Sequence, residues 1–173
     1  MAGHHAGMFD FDVRETSDVR SDGGGDVLGF SLVRLDARVT EIPRGPALTL
    51  PPETSIATAI EAMRRRRCGS AIVLRNQQPL GVVSDRDIVA QSCGDIDDLR
   101  AVPISAVMVA CPDPLSESDS VGTALRKMCA HRQWHLPIVC ARGLFVGALD
   151  VTDLALWLRD RLTLLSVEAA FTT

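Results

Sequence analysis

Apolar residues return at helical spacing twice along the chain. Ile56, Ala59, Ile60 and Met63 fall at i, i+3, i+4 and i+7 behind Ser55, and Val121, Ala124, Leu125 and Met128 repeat the stripe behind Ser120, 65 positions on. Each set predicts a helix with one buried face, capped in its first turn by the serine hydroxyl. Downstream, Ala71 to Leu74, a turn at Arg75 to Gln78, and Leu80 to Ser84 predict a strand, a hairpin turn and a second strand. Leu136 to Cys140, Ala141 to Gly143, and Leu144 to Leu149 match them. Gly81 and Asp87 correspond to Gly147 and Asp153 at an interval of 66, which places one inserted residue between helix and strand. Each repeat therefore predicts strand, helix, strand, strand, helix, the last helix opening at Asp85 to Gln91 and at Val151 to Leu158. Two such units can bury their sheets against each other in an α+β fold.

Outside the repeats the pattern weakens. Residues 1–30 are rich in Gly, Asp, Ser and His and show no period, as expected of a flexible tail. Phe30 to Ile42 alternate loosely, predicting a short strand or extended arm before Pro43, Gly45 and Pro46. The expected organisation is a connecting arm at 31–45, repeats at 46–95 and 104–162, and a C-terminal tail at 163–173. Leu154, Trp157, Leu158, Leu162 and Leu165 occupy more helical faces than one sheet should cover, which predicts a homodimer interface.

Composition narrows the classes. With 46% hydrophobic and 23% charged residues, a chain of 173 residues can bury its own core. Five cysteines without a CxxC pair fit reduced thiols in a cytoplasmic protein. The apolar stretch Leu154 to Leu158 ends at Arg159, far short of the ~20 residues a bilayer requires. A net charge of -4 argues against nucleic acid as partner, and the run Arg64 to Arg67 reads as a solvated helix end.

The chemistry concentrates in Gly81-Val82-Val83-Ser84-Asp85-Arg86-Asp87 and its echo Gly147 to Asp153. A hydroxyl and a carboxylate three residues apart at a helix start form a capping box, each side chain satisfying a backbone N–H of the other's turn. They also suit a ribose: Asp87 can accept from two vicinal hydroxyls, Gly81 can let a ligand approach the backbone, and the helix start favours phosphate. Both readings stand together on the sequence.

These residues carry a resemblance to tandem cystathionine-β-synthase (CBS) domains, of the stand-alone bacterial and archaeal type, over roughly Val39 to Leu162. The shared wording is the repeated Ser-capped helix, the strand Leu136 to Val139, and Gly-x-x-[Ser/Thr]-x-x-Asp. The resemblance implies a CBS-domain pair, two β-α-β-β-α repeats about a pseudo-two-fold axis, which associates as a dimer and binds an adenosine-containing ligand between the repeats. AMP, ADP, ATP and S-adenosylmethionine are the implied ligands, and no cofactor is required. Carried over by position, Ser84 and Asp87 would hold the ribose in the first repeat, with Thr49, Ala71 and Ile72 near the adenine. The second repeat offers Asp153, Asp150, Pro114, Leu136 and Pro137. Arg86 and Arg132, with His131, are candidate phosphate donors.

The second repeat departs from the pattern at Asp150, which stands where the first has the Ser84 hydroxyl, and at Pro114, which stands where the first has Thr49. A carboxylate beside Asp153 should repel a phosphate unless Asp150 is protonated or paired. His131 and His135 are spaced as a metal pair, yet the helix should end near Arg132, so no metal site is expected. No Gly-x-Ser-x-Gly, His-Glu-x-x-His or phosphate-binding Gly-x-x-x-x-Gly-Lys occurs, and no enzymatic activity is expected. The expected function is a regulatory sensor that signals to an unidentified effector; the alternative is a ligand-free interaction protein on the same fold.

Overall fold

The computed structural model describes residues 35–92, 98–111 and 113–171. The expected tail at 1–30 lies outside them. Helix α1 (Ile56–Arg66) starts where the Thr58 N–H donates to Ser55 Oγ, and α3 (Val121–His131) starts where the Thr123 N–H donates to Ser120 Oγ. Both end on a left-handed arginine, Arg67 at φ 53° and Arg132 at φ 51°, whose N–H closes the last turn. Of the two stripes, Ile56, Ala59, Met63, Val121, Ala124 and Met128 are buried, while Ile60 lies at the stripe edge and is exposed.

One sheet runs β1 (Thr49–Leu50), β2 (Ser70–Arg75), β3 (Gln78–Ser84) and β4 (Val109–Ala110) in that order. The other runs β5 (Leu115–Ser116), β6 (His135–Val139) and β7 (Phe145–Asp150). In each, a short first strand lies parallel to the central one and a hairpin supplies the next. Helix α2 (Asp85–Ser92) follows β3 directly, and α4 (Val151–Phe171) follows β7. The mixed α+β pair of repeats is thus as the sequence indicated.

The inserted residue is not between helix and strand. Both hairpins carry a register shift at matching places, Val73/Leu74 and Ile138/Val139, so the strands superpose up to the turn. The extra residue therefore lies in the turn itself. Asn76 and Gln77, both at positive φ, connect β2 to β3 in the two-residue form suited to twisted hairpins, whereas β6 and β7 are joined through a longer loop containing Gly143 at φ 73°. Within the segment expected as a C-terminal tail, α4 continues as a helix to Phe171, because no Gly or Pro interrupts it after Arg159.

Each repeat's core is completed by the segment that precedes the other. Ala37, Val39 and Ile42 pack with Val121, Met128, Leu136 and Leu154 of the second repeat. Ile104 and Val107 pack with Ile56, Met63 and Val83 of the first. The contacts obey the same 65-residue interval as the helices. Arg38 bridges Ser120 as Pro103 bridges Ser55, and the short 3-10 turns Val39–Glu41 and Ile104–Ala106 correspond. Main-chain bonds fix both: Val121 N–H to Ala37 O at 2.8 Å, and Ile56 N–H to Val102 O at 2.9 Å. The predicted arm is thus anchored to the repeat that lies farther along the chain.

The interval then fails at one strand. β4 pairs with β3, but its counterpart, Arg44–Gly45, belongs to no strand beside β7. Pro43 and Pro46 flank it, and Pro46 stands where Cys111 gives its N–H to Leu80 O at 3.2 Å. A proline has no such proton, so the pairing cannot be copied.

Candidate functional site

Two clefts follow from this symmetry, each lined from both repeats. The first encloses about 240 Å³, with Ser84, Arg86 and Asp87 on one side and His131, Arg132 and Trp134 on the other. The second encloses about 170 Å³, with Gly45 to Leu48 and Ile72 facing His135, Asp150 and Asp153. His135 lines both.

At the end of β3 the capping box is complete. The Ser84 hydroxyl donates to Asp87 Oδ2 at 2.6 Å, the Ser84 N–H donates to the same oxygen at 2.9 Å, and the Asp87 N–H donates to Ser84 Oγ at 3.2 Å. Both bonds to the carboxylate use Oδ2, so Oδ1 is not consumed by the cap. The carboxylate is held in place at the cleft wall before any ligand arrives, which lowers the ordering cost of binding.

At the end of β7 the same backbone carries different chemistry. Asp150 Oδ1 accepts the Thr152 N–H, and Asp150 Oδ2 lies 2.6 Å from His135 Nε2. His135 and Asp150 are opposite one another in the β6–β7 register, as Ser70 and Ser84 are in β2–β3. A pair of hydroxyl residues in one repeat has therefore become an imidazole–carboxylate pair in the other. Asp153 keeps a hydrogen bond to the Asp150 backbone. Burial pushes its pKa above the ordinary carboxylate value and the Asp150 charge adds to the rise, while Arg44 and His135 oppose it.

The expected site residues divide between the clefts by position rather than by repeat. Ser84, Arg86, Asp87 and Arg132 line the first, and Ile72 and Asp153 line the second. Ile72 thus faces the second repeat's carboxylates instead of Asp87. Thr49 is exposed on β1 and lines neither cleft. Ala71 and Leu136 are core residues of their own repeats, and Pro137 is buried beside Leu136.

Gly81 is placed differently from the sequence expectation. A Cβ there would lie 2.5 Å from the Val109 carbonyl oxygen, so its missing side chain admits β4 rather than a ligand. Gly147, at the unpaired edge of β7, has nothing within 4 Å of the same position.

Sequence reasoning did not single out Trp134, Val109 or Ser70. Trp134 follows the left-handed Arg132 closely and belongs to no apolar period, yet it lines the first cleft half-exposed. Shifting Ser70 by 65 positions would have found His135 as more than a metal candidate. Among the described residues, no group of three or more His, Cys, Asp or Glu is arranged to hold a metal ion. None of the described helices is long and apolar enough to cross a membrane.

A family model for the CBS domain matches residues 39–93. The uncharacterized 17.7 kDa protein in the bps2 3' region of Acidianus ambivalens is 31% identical over 125 residues, covering 71% of this chain and 74% of that one. Among solved structures, the CBS domain protein PAE2072 from Pyrobaculum aerophilum, complexed with AMP, is 28% identical. It aligns with a TM-score of 0.61 over 67% of this chain and 88% of its own. CBSX2 in complex with AMP aligns with a TM-score of 0.61 over 74% of this chain and 98% of its own, at 23% identity, and shares the fold.

Proposed function

Because this chain belongs to the CBS-domain family and folds as a tandem pair of such domains, we propose that it is a non-enzymatic regulatory module. It binds an adenosine-containing ligand, of the AMP, ADP, ATP or S-adenosylmethionine class, and signals its bound state to an effector protein. The carrying observation is the first cleft: Ser84 and Asp87 are fixed at its wall with Arg86 beside them, and Arg132 of the other repeat closes the same 240 Å³ space. A carboxylate that accepts from vicinal hydroxyls and guanidinium groups that receive phosphate are the recognition elements of a nucleotide. The AMP complex of the Pyrobaculum relative supports this reading. The protein acts in the cytoplasm as a homodimer, through surfaces that include α4, where Leu156 is exposed. Leu154 and Trp157 are spent in the core, and the side chains of Leu162 and Leu165 lie outside the described residues.

One observation favours a second reading, in which the same fold serves as a ligand-free interaction protein: Ser84 and Asp87 already satisfy each other. A thermal-shift panel of AMP, ADP, ATP and S-adenosylmethionine separates the two. A ligand at about 100 times its dissociation constant stabilises by about 2.7 kcal/mol, a rise of roughly 5 to 10 °C for a domain of this size. Asp87→Ala abolishes the shift under the first reading. Under the second, no nucleotide shifts the wild type.

A further inference from the structure

We propose that the two clefts sort ligands by charge, the second taking a nucleoside that carries no phosphate. This rests on the nucleoside reading of the pair above and goes beyond it in assigning a different ligand class to each cleft.

Two guanidinium groups, Arg86 and Arg132, line the first cleft, and among the described residues no Arg or Lys lines the second. Arg44, which acts electrostatically on Asp153, gives its Nη1 to the Val39 carbonyl at 2.9 Å and is not part of the lining. Where the first cleft has the Ser84 hydroxyl, the second has Asp150, with Asp153 next to it. The His135 imidazole is committed through Nε2 to Asp150 Oδ2 at 2.6 Å and does not offer that nitrogen to an anion.

The walls still suit a nucleoside. Leu48, Ile72 and Leu149 are apolar surfaces for a base, and Asp153 holds the ribose-binding position that Asp87 holds in the first cleft. With Asp150 engaged by His135 and no Arg or Lys in its described lining, the second cleft lacks the guanidinium partners that the first sets beside its own carboxylates, Asp85 and Asp87, and phosphate is the part of a nucleotide it is least suited to hold. The His135–Asp150 pair is the determinant, because its counterpart in the first repeat is the uncharged Ser70–Ser84 pair.

Isothermal titration of adenosine and AMP into the full chain tests this, with Asp87→Ala, and Asp87→Asn should the alanine variant unfold, used to silence the first cleft. The expected result is that the silenced protein binds one adenosine and binds AMP at least about tenfold more weakly, equivalent to about 1.4 kcal/mol. Adding His135→Ser with Asp150→Ser, the pair of the first repeat, brings AMP to within about twofold of adenosine. AMP binding the silenced protein as tightly as adenosine overturns the proposal, and so does the absence of adenosine binding. The wild-type titration keeps the outcomes separate, since AMP bound by the wild type and lost with Asp87→Ala supports the first cleft whatever the second does.

Discussion

The two repeats match residue for residue in their first helices and in the register of their hairpin strands up to the turn, but they part at the outer edge of the sheet. In the first repeat β4 returns from the linker to cover β3. In the second, the equivalent stretch sits between Pro43 and Pro46 and stays away from β7, and Gly45 and Pro46 line the second cleft unpaired where Val109 of β4 lines the first. A missing N–H at one position thus leaves one cleft wall unpaired where the other is a strand. The first cleft carries two arginines and the Ser84 hydroxyl, whereas the second has at the Ser84 position Asp150, paired with His135.

The comparison can be broken by mutation, and the largest effects should come from the feature the repeats have in common. Ile104→Ala removes a fully buried side chain of the linker from the core of the first repeat and should cost about 2–5 kcal/mol in urea denaturation. Val39→Ala, its counterpart in the arm, should destabilise the second repeat in the same way but less, since fewer atoms are lost. If Val39→Ala were neutral, the arm would not be part of the second repeat's core.

Gly81→Ala and Gly147→Ala probe the point where the repeats differ. The first should cost about 1–3 kcal/mol, because the new methyl meets a backbone carbonyl that cannot move without losing β4. The second meets open space and should stay within about 0.5 kcal/mol of the wild type. Equal effects in chemical denaturation would mean that both edges are covered alike.

The carboxylates give a smaller contrast. Asp87→Ala should lose about 1 kcal/mol, as expected for an N-terminal cap, because three hydrogen bonds pass through Ser84 and Asp87. Asp153→Asn should cost less, since burial and Asp150 already disfavour its charge. The sign of its pH dependence follows. A carboxyl whose pKa is raised on folding binds more protons in the folded state, so stability declines as pH rises from the ordinary carboxylate value through the raised one. Asp153→Asn should remove that decline from a plot of unfolding free energy against pH, the smallest of these effects.

How much of this was legible depends on range. The caps at Ser55 and Ser120 and the helix ends at Arg67 and Arg132 are local and follow from a few neighbouring residues. The exchange of arms was hidden because residues 37–42 carry no sign of which distant helix they will meet. Matching apolar strings could establish that one residue had been inserted, but only the strand register could assign it to the hairpin. At the site, Ser84, Asp87, Arg86 and Arg132 were named from the motif together with the family resemblance and line one cleft, and the condition that Asp150 be paired is met by His135. Which walls face which carboxylates could not be read that way, because each cleft joins side chains from opposite repeats.

The arms also bear on how the molecule comes into being. The segment that closes the second repeat is synthesised before it, and its docking surface on Val121 and Leu136 is made only after the first repeat and the linker are complete. Until then Val39 and Ile42 have no groove to fill. Ile104 and Val107, by contrast, are made directly after the first repeat, so its core can close during synthesis while that of the second waits for the rest of the chain.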